Sequence, residues 1–144
     1  MATISPIIVT GCASAAHAGE TPAPSGALVY FVNLKDGDKV KSPVKVIFGL
    51  SGMGVAPAGA EAENTGHHHL IIDRPALGEG PDGMAELDEN IPADENHAHF
   101  GKGQTEAVIV LPAGSHTLQL VLGDKDHIPH DPPVASGRIT VTVE

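Results

Sequence analysis

Apolar residues fall in short runs that alternate with polar ones, and glycine or proline breaks the runs every ten residues or so. Val44, Val46, Phe48 and Leu50 share one face of an extended segment, with Lys45 opposite. His116, Leu118, Leu120 and Leu122 do the same in a second segment, with Ser115, Thr117 and Gln119 on its other side. Ile139, Val141 and Val143 do so in a third, with Arg138, Thr140 and Thr142 outward. A period of two is that of a strand with one face on a core. Residues 27–34, 67–73 and 105–111 add β-rich runs, Val40 can begin another, and Lys35-Asp36-Gly37-Asp38 marks a turn. The pattern predicts an all-β domain, an immunoglobulin-like β-sandwich of about seven strands with no convincing helix.

The connections are uneven. Residues 51–66 are rich in Gly, Ala and Pro and read as a loop, as do residues 123–133. Residues 74–103 form a long acidic excursion, poor in apolar side chains. A loop of that length inside a small domain is usually functional or poorly ordered.

The chain has 144 residues, enough for one domain with a real core. Residues 27–144 read as that single domain and 19–26, with three threonine or proline positions, as a linker. Residues 1–18 read as a signal peptide or its remnant, because Ala16-His17-Ala18 has the Ala-x-Ala form of a cleavage site. Val9-Thr10-Gly11-Cys12 offers a rival reading, a lipoprotein box with a lipid anchor on Cys12. Either implies export to the periplasm or beyond the cell. No run reaches the roughly 18 apolar residues of a membrane span.

A net charge of -10 argues against nucleic acid and anionic membranes, which repel an acidic surface. With 3% aromatic residues and no Trp, a reading that needs base-stacking platforms is weakened as well. The one cysteine, Cys12, lies in the N-terminal segment, so the folded part has no thiol for a disulfide, a zinc ribbon or a nucleophile.

What remains is imidazole. Of nine histidines, His17 belongs to the N-terminal segment, and the rest are gathered in His67-His68-His69, His97-Ala98-His99, His116 and His127-Ile128-Pro129-His130. In a strand, residues i and i+2 point the same way, so His67 and His69 aim together and His68 faces opposite, with Leu70 and Ile72. His97 and His99 repeat the spacing. Neutral imidazole is the commonest metal-ligating side chain, and a copper or zinc site needs three or four donors from separate segments. The candidate ligands are therefore His67, His69, His97, His99, His127 and His130, with His116 as a supporting group. His68 and His116 lead apolar faces and read first as core histidines. Met53 and Met84 offer soft thioether, and Asp124-x-Asp126 lacks the remaining positions of a calcium loop.

Four stretches carry a resemblance: Gly66-His67-His68-His69-Leu70, His97 through Glu106, Pro112-Ala113-Gly114-Ser115-His116-Thr117-Leu118, and His127-Ile128-Pro129-His130. Over roughly Gly66 to Val143 the chain resembles the domain of unknown function 4399 family of small exported bacterial proteins. The resemblance implies an exported domain and supplies no activity. A His-x-His-Phe-Gly stretch is also similar to copper-zinc superoxide dismutases, but the spacing differs and no disulfide pair exists.

Three functions are consistent with these residues. The first is an exported copper- or zinc-binding carrier, chaperone or sensor component. The second is a metal-dependent enzyme of hydrolase or dismutase type, with Glu106 or Asp73 as general base, although no His-Glu-x-x-His helix, Gly-x-Ser-x-Gly elbow or P-loop is present. The third is a metal-free structural or adhesion sandwich.

Overall fold

A computed structural model describes residues 19–144. The N-terminal segment, with its cleavage-site and lipid-anchor readings, lies outside the described residues. The alternating runs become strands of two sheets. In the smaller, β1 (Leu28–Phe31), β3 (Val44–Ser51) and β7 (Glu106–Ile109) pair antiparallel in the order β1-β3-β7. The larger sheet runs β2 (Lys39–Val40), β9 (Ile139–Val143), β8 (Gly114–Gly123), β5 (Thr65–Ile72), β4 (Gly54–Val55). A further strand, β6 (His97–His99), pairs with β5.

The fold is all-β, as expected, with nine strands among the described residues rather than about seven. The strand begun at Val40 is β2; the additional ones are β4 and β6, of two and three residues, too short for a period to be read, and both are held by pairing to β5. The acidic excursion is also less irregular than its composition suggests. It contains β6 and a single helical turn, α1 (Gly83–Glu86). No helix among the described residues is long and apolar enough to cross a membrane.

Between the sheets, Val44, Val46 and Phe48 of β3 meet Leu70 of β5, Leu118, Leu120 and Leu122 of β8, and Val141 and Val143 of β9. Leu118, Leu120 and Leu122 are fully buried, and each contributes about 1.5–3 kcal/mol relative to exposure. The other face of β5 and β8 is covered as well. Ile71 and Val121 pack with Ile91 of the excursion in a second apolar cluster. That cover explains Gln119, which strand alternation places outward and which is nonetheless buried. Its amide accepts from the backbone N–H of Leu77 at 2.8 Å and donates to the carbonyl of Ser136 at 2.9 Å, pinning the excursion to the sheet.

Residues 19–26, which read as a linker, are partly tied down. Ala23 N–H donates to the carbonyl of Asp131, and Asp131 N–H to that of Thr21, each at 2.9 Å.

Candidate metal centre

β5 presents His67 and His69 on the outer face of the larger sheet and sends His68 inward. His68 is fully buried, its ring 4.8 Å from that of Phe48, and neither ring nitrogen has a partner. Burial pushes its pKa down to about 4, so it sits in the core as a neutral ring.

His67 and His69 are buried too, at 1% and 0% exposure, but on the side where other imidazoles gather. Antiparallel pairing of β6 with β5 sets His99 opposite His69 and His97 opposite Ile71. One residue pair therefore separates the ring that meets the cluster from the ring that does not. The fourth imidazole, His127, comes from the loop after β8. Asp124 shapes that loop: Oδ1 accepts from the N–H groups of Asp126 and Ile128, and Oδ2 accepts from the Thr21 hydroxyl at 2.7 Å. The result is a left-handed backbone at His127, φ 65°, that turns its ring onto β5.

One ligand nitrogen from each of His67, His69, His99 and His127 lies within 4.8 Å of the others. His67 Nε2 is 2.9 Å from His69 Nε2 and 3.0 Å from His127 Nδ1. An imidazole nitrogen offers a single in-plane site, either an N–H or a lone pair. His67 Nε2 therefore cannot satisfy both neighbours by ordinary hydrogen bonding. A cation shared among the lone pairs removes that conflict.

The electrostatics keep those lone pairs free. Burial first, then the neighbouring His127 and His99, lower His67 to about 4, against a weak opposing pull from Asp124. Burial, then the neighbouring His67, His99 and His127, push His69 further down, and burial with His127 lowers His99. The set is all nitrogen. Imidazole suits zinc, copper, iron and nickel, whereas calcium and magnesium take oxygen. His99 is exposed and His127 half-buried, so the cluster opens to solvent on one side.

Space for the rings comes from two glycines. A Cβ on Gly123 would stand 2.6 Å from His69 Nε2, and one on Gly101 would stand 2.4 Å from His99 Cε1. Neither position was legible as part of a site, because glycine after a strand reads first as a turn.

The other candidates lie elsewhere. His97 bonds through Nδ1 to Asp94 at 2.7 Å. His130 is fully buried, with Nε2 3.3 Å from the carbonyl of Thr65 and Nδ1 unpartnered. His116 bonds Asp73 through Nδ1 and the carbonyl of Pro112 through Nε2, both at 2.8 Å. The candidate general bases are engaged away from the cluster. Asp73 holds His116 and the N–H of Thr117, and Glu106, in the smaller sheet, pairs with Lys45 at 3.6 Å.

A family model described as "Domain of unknown function (DUF4399)" matches residues 46–144. The chain belongs to that family, whose description names no activity. No curated protein and no solved structure matches the chain.

Proposed function

We propose that this is an exported metal-binding protein, periplasmic or extracellular, that holds copper or zinc at His67, His69, His99 and His127 and acts as a carrier, chaperone or sensor component. The convergence of four imidazole nitrogens within 4.8 Å carries this reading. Lowered histidine pKa values support it, since a ligand nitrogen that is already neutral needs no deprotonation by the metal. So does the open side at His99 and His127, through which an ion can enter and leave a carrier. Four imidazole donors favour borderline ions over purely thiophilic ones.

Elemental analysis of untagged protein, followed by calorimetric titration with copper and zinc, tests this reading. The expected result is one ion per chain and a melting temperature that rises with metal. A hundredfold excess of free ion over Kd adds about 2.7 kcal/mol of stability. In the His67→Ala/His69→Ala variant, binding disappears while the circular dichroism of a β-protein persists. Full affinity in that variant removes these residues as ligands. Indifference of the wild-type protein to both ions favours the structural or adhesion reading instead.

A further inference from the structure

We propose that the cavity between the acidic excursion and the outer face of the larger sheet is a second binding site, one that takes a small organic cation: an amine on an apolar body. The cavity measures about 420 Å³, within the roughly 300–1,000 Å³ of small-molecule pockets. It shares no side chain with the imidazole cluster.

Its walls come from an excursion that is fastened down yet not packed shut. Leu77 N–H is held by Gln119 Oε1, and Ile91 N–H donates to the carbonyl of His127 at 2.7 Å. At the far end, the Asn96 carbonyl accepts from Ile72 N–H at 2.8 Å. Three anchors fix the frame, and the space between them stays open. The apolar lining is Ile71, Leu77 and Ile91, continuous with the second apolar cluster. A ligand there gains from an aliphatic or aromatic body.

The charged lining selects the sign. Arg74 already pairs with Glu86 at 2.9 Å, and His97 is bonded to Asp94 at 2.7 Å. Both basic side chains of the cavity thus face a carboxylate. Asp82 and Glu89 also line it and form no ion pair among the described residues. An anionic ligand would meet two uncompensated carboxylates and no unengaged cation. An ammonium meets the reverse, with its carbon body on the isoleucine and leucine floor.

The test uses metal-free, chelator-treated protein, so it succeeds or fails independently of the histidine site. Amide chemical shifts would be followed on titration with n-hexylamine, with hexanoate, and with ammonium chloride at matched ionic strength. Saturable shifts at Leu77, Ala85 and Ile91 with hexylamine alone are expected. The Asp82→Asn/Glu89→Gln variant, whose substitutions lie on the exposed rim, should keep its spectrum elsewhere and bind hexylamine at least fivefold more weakly. Shifts that never saturate, that appear equally with ammonium chloride or hexanoate, or that survive undiminished in the variant overturn the proposal.

Discussion

At the N-terminal end of β5, His67 and His69 face His99 and His127, nitrogen against nitrogen. At the C-terminal end of the same strand run, Asp73 Oδ2 takes the Nδ1 of His116 while the Pro112 carbonyl takes its Nε2. Burial and imidazole neighbours lower His67, His69 and His99, whereas the Asp73 carboxylate and the Pro112 carbonyl raise His116 against a smaller desolvation effect. One end of the strand repels protons and presents lone pairs. The other uses both ring nitrogens as donors and retains its proton. The residue type is the same, and the partners decide its chemistry: imidazole beside imidazole is a latent cation site, and imidazole beside carboxylate is a local tie.

The largest effect that separates the two ends is the pH dependence of the metal-free fold. His67 ordinarily titrates at 6.5 and falls to about 4 here, so between those values the unfolded chain binds a proton that the folded chain refuses. Its stabilising contribution is complete above pH 6.5 and is lost as pH drops through about 4. His68 and His69 act in the same direction. His116 has the opposite sign: the stability it adds is complete below 6.5 and is lost as pH rises through its raised folded value. Urea melts of metal-free protein at pH 7.5 and pH 5 should therefore show a loss on acidification, on the order of 2 kcal/mol from the buried cluster. His116→Ala should steepen that loss and leave metal affinity unchanged. Equal stability at the two pH values would mean that the cluster is hydrated and titrates normally.

The next effect probes the seat of one ring. Gly123 has no left-handed backbone requirement, so the substitution Gly123→Ala acts chiefly on the His69 ring, with His127 Cα at an ordinary contact distance of 3.4 Å. The new methyl would lie 2.6 Å from His69 Nε2 and 2.9 Å from Cδ2, and the ring, fully buried, has little room to retreat. Metal affinity should fall by more than about tenfold, roughly 1.4 kcal/mol, while the secondary structure persists. Calorimetric titration of the variant measures it, and unchanged affinity would remove His69 from the ligand set.

These two tests bear on what can be read from sequence. Period-two alternation is a local property, so the core faces of β3, β8 and β9 and the shared aim of His67 and His69 were visible without coordinates. Convergence is not local. His127 reaches the cluster because Asp124 and Thr21, 103 residues apart, shape its loop. His130, three residues further along and equally histidine-like in the sequence, is turned inward to Thr65. Gln119 shows the same limit from the other side. Its strand marks it for solvent, and only the return of the excursion buries it. The excursion itself has too few apolar residues to announce that Ile91 docks on Ile71 and Val121.

The smallest effect is the sharpest test of register. His97 and His99 form a His-x-His pair identical in spacing to His67 and His69, and both point to the outer face of the larger sheet. Only pairing distinguishes them, since β5 sets His69 beside His99 and Ile71 beside His97. His97 is therefore one step along the sheet from the cluster, with Asp94 on its Nδ1. His97→Ala should loosen the turn at Asp94 and change metal affinity by less than about threefold, roughly 0.6 kcal/mol. His99→Ala, in the same strand and more exposed, should cost more than the roughly 10–100-fold typical of an outer-shell partner. The inequality matters more than either value. If titration shows His97→Ala to be the more impaired of the two, β6 pairs with β5 in another register, a two-residue slip that brings His97 to His69 in place of His99.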